Sequence, residues 1–434
     1  MKSTVQTAHT DILHPVLKKL YGDDEKTLQR QMKRYGNLAK TFEQHFAPPE
    51  AELQWFSTPG RSEIGGNHTD HNHGRVLAAA INLDSIAAAV PVPGNVVTIY
   101  SQGYEEPFIV DLNNLEKQAA EEGSTSALVR GIAARLSELG FRIGGFEAVL
   151  SSDVLPGSGL SSSASIEVLI GTIFNHLFND GRIEPQMLAR VGQYAENEYF
   201  GKPCGLMDQM ACAMGGIITI DFKNPAEPQV EKIDFDFAQR NYRMLVVDTG
   251  GSHDDLTADY AAIPAEMKTV AQYFDKTFCR DLSIDELLAH LKPLRSAVGD
   301  RAILRALHFL GENERVSEQV TALKTGDFSR FLSLITASGN SSFKWLQNIH
   351  SPGNHREQGV ALALALSERY LEDIYDGACR VHGGGFAGTI QVFLPADKVD
   401  GYRNLIEPVF GEASVKVLQI RPYGTVSLNR SFIK

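Results

Sequence analysis

Pro156-Gly157-Ser158-Gly159-Leu160-Ser161-Ser162-Ser163-Ala164-Ser165 is the stretch on which the reading of this chain turns. The run before it, Phe146 to Leu150, has the character of a strand, and Ser162–Phe178 after it has helical spacing. Glycines let the backbone come close to a ligand. Successive N–H groups at a helix N-terminus form a nest for phosphate oxygens, and serine hydroxyls add donors. The candidate phosphate contacts are therefore Gly157, Ser158, Gly159, Leu160, Ser161, Ser162, Ser163 and Ala164. No G-x-x-x-x-G-K-[ST] occurs, which argues against a P-loop NTPase. A well-capped Ser/Gly-rich turn is the plain alternative for this segment taken alone.

Upstream lies Gly60-Arg61-Ser62-Glu63-Ile64-Gly65-Gly66-Asn67-His68-Thr69-Asp70-His71-Asn72-His73-Gly74, read as a loop following a strand at Leu53–Ser57. Asn, His and Asp side chains supply the planar donors and acceptors that vicinal sugar hydroxyls require. Arg61 supplies a fixed positive charge. The histidines at 68, 71 and 73 invite a metal, but a zinc site needs converging ligands and a supporting shell, so a hydrogen-bonding loop is the preferred reading. Downstream, Phe200-Gly201-Lys202-Pro203-Cys204-Gly205-Leu206-Met207-Asp208-Gln209 sets Asp208 at the start of a short helix after a tight turn. A carboxylate there can orient or deprotonate a hydroxyl. It can equally be an acidic residue favoured in a first helical turn. Gly383-Gly384-Gly385-Phe386-Ala387-Gly388 contains a formal G-x-G-x-x-G, but the β-like Thr389-Ile390-Gln391-Val392-Phe393 follows, not a helix. A dinucleotide fold is rejected on that ground.

Around these segments the chain reads as helical at Leu13–Leu20 and Leu28–Phe46, stopped by Pro48 and Pro49. Strands follow at Ile81–Val92, Val96–Tyr100 and Phe108–Leu112, then a helix capped by Ser124 and another over Pro185–Tyr199. Buried strands at Ile217–Phe222 and Met244–Val247 flank a polar junction, Lys223–Asn241. The second half is helix-rich from Tyr260 to Leu371 and closes on strands and one further helix. Without a regular βαβ rhythm the fold class is α+β. Two lobes are expected, 1–230 and 231–434.

Of 434 residues, 41 are Lys or Arg and 53 are Asp or Glu, a formal net charge of −12. That balance disfavours nucleic acid and anionic membranes as partners, and an anionic ligand must be held by a local device. The 4 cysteines form no CxxC pair, the N-terminus has no apolar signal core, and Val76–Val92 is interrupted by polar residues. A reduced cytoplasmic setting is expected.

The four segments, in this order and spacing, resemble the GHMP kinases, and among them the galactokinase family. The resemblance covers about residues 50–430 and is most specific at the serine-rich loop. It implies a two-lobed α+β fold with the site between the lobes, and transfer of the ATP γ-phosphoryl group to the anomeric C1 hydroxyl of a sugar, yielding α-galactose 1-phosphate when the sugar is galactose. Asp208 matches the catalytic Asp, and Arg61 the Arg that keeps it ionised. Ser163 and Glu196 match Mg²⁺-binding positions, with Glu167 a weaker match. His68, Asp70, the backbone of Gly205 and Tyr260 match sugar contacts. ATP, Mg²⁺ and a small sugar are the implied ligands, and the protein is expected to be a monomer or a weak homo-oligomer.

Two departures stand out. The usual Gly-Glu-His-Thr-Asp-Tyr-Asn-Asp-Gly reads Gly66-Asn67-His68-Thr69-Asp70-His71-Asn72-His73-Gly74 here. Asn67 thus replaces a Glu that would bind the galactose 6-hydroxyl with charge assistance. On that reading, restoring Glu at 67 improves galactose turnover by up to about tenfold. It also opens the alternative of a related sugar-1-kinase acting on galacturonate, arabinose or N-acetylgalactosamine. The second departure is Thr125-Ser126-Ala127-Leu128-Val129-Arg130-Gly131, which lacks the usual aromatics near the nucleotide base. A non-catalytic sugar- and ATP-binding regulator is the third reading. The uninterrupted Gly159–Ala164 run, with Arg61 and Asp208 both present, favours catalysis over it.

Overall fold

A computed structural model describes residues 14–48, 51–154, 159–251 and 256–428. The expected phosphate contacts Gly157 and Ser158, together with Leu13 and Pro49, lie outside the described residues.

The chain opens with helices α1 (residues 14–21) and α2 (Glu25–His45). Asp24 caps α2 by accepting the Thr27 N–H at 2.8 Å. Strands β1 (Gln54–Gly65), β2 (Arg75–Pro91), β3 (Val96–Ser101) and β4 (Phe108–Asp111) follow, then α3 (Thr125–Glu138) and β5 (Phe146–Ser152). Helices α4 (Ser162–Phe178), α5 (Pro185–Tyr194) and α6 (Met207–Met214) lead to the hairpin β6 (Ile217–Asp221) and β7 (Gln229–Ile233).

The second half runs β8 (Tyr242–Asp248), α7 (Thr257–Tyr273), α8 (Ile284–Ala289), α9 (Leu291–Val298), α10 (Asp300–Thr325), α11 (Phe328–Ser341) and α12 (Gly359–Ile374). It ends with β9 (Ala378–His382), β10 (Thr389–Pro395), α13 (Val399–Phe410), β11 (Val415–Leu418) and β12 (Val426–Ser427).

Two sheets result. The first has the order β12-β1-β2-β5-β3-β4, with β6 and β7 joined to β2; the second has the order β11-β8-β10-β9. The chain passes from one sheet to the other between Ile233 and Tyr242, so β7 runs across residues 230 and 231. Near its end it returns to the first sheet, where Ser427 pairs with Phe56.

β2 shows why the strand bounds were hard to read. Ala87 and Ala89 pack into one core with α3, α4 and α5, while Ile86, Ala88 and Val90 face α1 and α2. A strand buried on both faces has no apolar/polar alternation to mark its start. β2 therefore begins at Arg75, not Ile81. Likewise β1 continues through the glycine-rich segment to Gly65, with register irregularities at Pro59/Arg61 and Glu63/Gly65. The first part of the expected loop, Gly60–Gly65, is thus strand, and it carries Arg61 and Glu63 between the two sheets.

A shared core closes that space: Ile64, Leu77 and Ile81 of the first sheet meet Met244, Val246, Phe331 and Phe393. The N-terminal helices are anchored separately by Asp84, which is fully buried. Its carboxylate receives Arg34 Nη1 at 2.5 Å and Arg421 Nη1 at 2.9 Å. Burial alone would raise its pKa, but the two guanidiniums outweigh burial and hold it below the ordinary carboxylate value.

Candidate active site

β1 and α6 place the central pair. Arg61 donates from Nε to Asp208 Oδ1 at 2.7 Å and from Nη2 to Oδ2 at 2.8 Å, a bidentate fork. Asp208 is the second residue of α6, and Ser161 Oγ also donates to it. Burial pushes its pKa up, while the Arg61 charge and hydrogen bonds pull it down further, so the carboxyl sits below its usual value. Ser161 precedes the first turn of α4 in a left-handed conformation, φ 61°. Gly159, φ 70°, is equally constrained, because a Cβ there would lie 2.6 Å from Thr389 Oγ1. Leu160 contributes its carbonyl, which accepts Arg61 N–H at 3.1 Å. Ser162, Ser163 and Ala164 form the first turn of α4. The helix start that holds the expected phosphate contacts is thereby tied directly to the Arg61–Asp208 pair.

Asp70 sits opposite, in a short helical turn. Its Oδ2 would be 2.0 Å from any Cβ at position 205, so a side chain there would push the Asp70 carboxylate out of place. Burial and the nearby Asp208 charge push its pKa up to about 6. His68, at φ 57°, places Nε2 2.8 Å from the Gly384 carbonyl. A carbonyl only accepts, so Nε2 carries the proton. His68 Nδ1 must then accept from His71 Nε2 at 3.2 Å, and His71 Nδ1 from Asn72 Nδ2 at 2.9 Å. Both rings are neutral; burial lowers them to about 4 for His68 and about 3 for His71. His73 points elsewhere and stacks on Phe278 at 3.6 Å. His68, His71 and Asn72 thus form a chain of hydrogen bonds, with His73 outside it.

Asn67 is fully buried and its amide is fully used. Nδ2 donates to Glu63 Oε1 at 3.1 Å and to the Gly383 carbonyl at 2.6 Å. Oδ1 accepts from Asn348 Nδ2 at 2.8 Å and Ser342 Oγ at 3.2 Å. Glu63 in turn pairs with the fully buried Arg380 at 2.7 Å. Tyr260 on α7 donates to the Gly385 carbonyl at 2.9 Å and faces the His68 ring. Three consecutive carbonyls of the C-terminal glycine loop, 383, 384 and 385, are therefore held by Asn67, His68 and Tyr260. The glycine run is a turn between β9 and β10 that the sugar-type segment grips.

Ser163 Oγ donates to Glu196 Oε1 at 3.0 Å. Gln209 Nε2 bridges Glu196 Oε2 and Glu167 Oε2, each at 2.9 Å. Glu196 lies in a π-turn, Ala195–Phe200, that ends the run read as one helix to Tyr199. The second oxygen of fully buried Glu167, Oε1, has no partner among the described residues. Burial and the Glu196 charge push this carboxyl well up. Two carboxylates, a hydroxyl and an unmatched buried oxygen fit a hard divalent cation.

Sequence reasoning missed the residues that support the segment around Asn67. Glu312 on α10 accepts Gly66 N–H at 3.1 Å, and His308 one turn earlier bonds the Asn67 carbonyl at 2.9 Å. The available signal was a polar stripe at helical spacing on α10, Arg305, His308, Glu312 and Gln319, all of them buried. Arg380 and Asn348 carried none, because their partners are distant in sequence.

The family model "Galactokinase galactose-binding signature" matches residues 40–91, and "GHMP kinases N terminal domain" matches residues 127–216. A galactokinase of Streptomyces coelicolor is 30% identical over 389 residues, 89% of this chain and 95% of that protein. A galactokinase of Glaesserella parasuis is 30% identical over 370 residues, covering 84% and 91%. The crystal structure of Lactococcus lactis galactokinase complexed with galactose matches with a TM-score of 0.77 and 26% identity, over 91% of this chain and 99% of that one. Methanococcus jannaschii mevalonate kinase, at 16% identity and a TM-score of 0.61 over 86% of this chain and 99% of that one, shares the fold.

Proposed function

The chain belongs to the galactokinase family of the GHMP kinases, and from that premise we propose that it transfers the γ-phosphoryl group of ATP to the C1 hydroxyl of galactose. The observation that carries this reading is the bidentate Arg61–Asp208 pair, set between the start of α4 and Asp70. The galactose C1 oxygen forms the new bond to the γ-phosphorus, the bond from that phosphorus to the β,γ-bridging oxygen breaks, and ADP leaves. Asp208 aligns the hydroxyl and takes its proton as the bond forms. Its low pKa makes it a weak base, so alignment and the Arg61 charge carry most of the rate, as a loose phosphoryl-transfer transition state requires. Asp70 accepts from two neighbouring ring hydroxyls, and Gly205 leaves room for them. Ser161, Ser162 and the α4 N-terminus receive the phosphates. A Mg²⁺ ion held by Ser163 and Glu196, with Glu167 behind, would neutralise charge on the phosphates.

ADP release with Mg-ATP across galactose, glucose, galacturonate, arabinose and N-acetylgalactosamine tests the substrate. Galactose is expected to give the highest kcat/KM; a clear preference for another sugar of the panel would overturn the assignment.

The pH profile tests Asp70. Because its pKa in the free protein is raised to about 6, it takes up a proton as pH falls through that value and stops accepting from the sugar. Galactose kcat/KM should then fall about tenfold per unit below pH 6. At saturating galactose kcat should stay level down to about pH 5, since Asp208 titrates lower. A kcat/KM that is flat from pH 7.5 to 5 would remove Asp70 from sugar recognition.

A further inference from the structure

One side of α2, from Arg30 to His45, forms a wall of a groove of about 800 Å³, with β5 and the end of β3 on the other side. Its size lies within the range of small-molecule sites. Arg30, Lys33, Arg34 and Lys40 line it with the carboxylates Asp153 and Glu105, and Asp84 lies behind Arg34. Arg30 and Arg34 are paired with Asp153 and Asp84, so the excess positive charge of the groove, in a chain of net charge −12, comes from Lys33 and Lys40. Lys33 and Lys40 are exposed. Arg34 is different. Its side chain is 10% exposed and its Nε has no partner among the described residues. One end of the groove is a flat aromatic platform, where His45 and Tyr100 stack at 3.8 Å and 20°.

We propose that this groove is a second binding site, distinct from the catalytic one, for a phosphorylated small molecule carrying at least two negative charges. The cations supply charge-assisted hydrogen bonds to phosphate oxygens, and the platform accepts a flat ring or a sugar face. The limited volume of the groove and the net negative charge of the chain favour a small ligand over a polyanionic chain. The site has a route to the reaction centre. Arg30 and Arg34 hold the Asp153 carboxylate at 3.0 and 3.4 Å. Asp153 precedes Val154, whose two methyl groups would lie 3.0 Å from a Cβ at Gly60, next to Arg61. An anion in the groove competes with Asp153 for these guanidiniums.

The test uses the full chain with its catalytic site filled by galactose and a non-hydrolysable ATP analogue, so that failure of the kinase assignment and failure of this site read out separately. Inorganic phosphate, a hexose 1-phosphate and a uridine diphosphate hexose are titrated in turn by calorimetry. At least one phosphate ester should bind, and the Lys33→Glu/Lys40→Glu variant should bind it at least tenfold more weakly, with melting temperature and ligand-free kcat unchanged. Which ester binds identifies the source, monophosphate or nucleotide. Equal affinity in wild type and variant, binding of none of the probes, or binding of inorganic phosphate as tight as that of either ester would each overturn the proposal.

Discussion

Asp208→Asn lowers kcat by roughly a thousandfold, the effect expected when a positioned acid–base group is removed, while KM for ATP changes by less than about threefold. The amide keeps the shape of the carboxylate and one acceptor for Arg61, so the protein folds. It cannot take a proton, and it offers the C1 hydroxyl no negative partner. Asn is a sharper test than Ala. Deleting the carboxylate leaves Arg61, which is 8% exposed at its side chain, without its counter-charge, and breaking a buried pair costs about 3–5 kcal/mol. Activity lost in the Ala variant could then be lost stability. Steady-state kinetics with a melting curve for each variant separate the two, and an Asn variant within about tenfold of wild-type kcat would end the role assigned to Asp208.

Asn67→Glu produces the second large effect, and with the opposite sign from the one the family pattern suggests. The incoming carboxylate would meet Glu63 Oε1, now 3.1 Å from Nδ2, and the Gly383 carbonyl, now 2.6 Å from it. Two donated hydrogen bonds become two repulsions inside a site with no solvent exposure. A penalty of about 3–5 kcal/mol follows, read in a chain of 434 residues as a melting temperature lower by roughly 3–6 °C. Galactose kcat/KM falls with it, at least about tenfold, because the glycine loop loses the anchor at Gly383. The double variant Glu63→Asn/Asn67→Glu restores a single carboxylate beside Arg380, and most of the lost stability and activity returns. A double-mutant cycle of these two sites measures the coupling; additive losses would show that the two side chains act independently.

These results separate what was legible in the residues from what was not. The serine-rich run, the Arg61 segment and the turn before Asp208 were readable because each is local: glycines at constrained turns, donors at a helix start, an acidic first turn. Their meeting followed from the family pattern, and Arg61 and Asp208 do form the central pair. The strand limits were less legible. β2 has core on both faces, and β1 carries its polar site residues inside a strand, so neither shows the alternation that marks a half-buried strand.

Asn67 is the instructive case. Its identity as a departure was visible in the sequence, and its consequence was not. The partners that decide it are Asn348, Ser342, Gly383 and Glu63, and three of these lie some 275 to 316 residues away. A side chain's chemistry belongs to its type, but whether its hydrogen-bonding capacity is left for a ligand depends on which distant groups the fold has already matched to it. The chain by itself determined which chemistry is present: a guanidinium, two carboxylates, and a glycine- and serine-rich run of the kind that can hold phosphate. Only the tertiary structure decided which polar groups face one another, because desolvation and pairing between remote strands set the pKa of Asp70, the ionisation of Asp208 and the full engagement of Asn67.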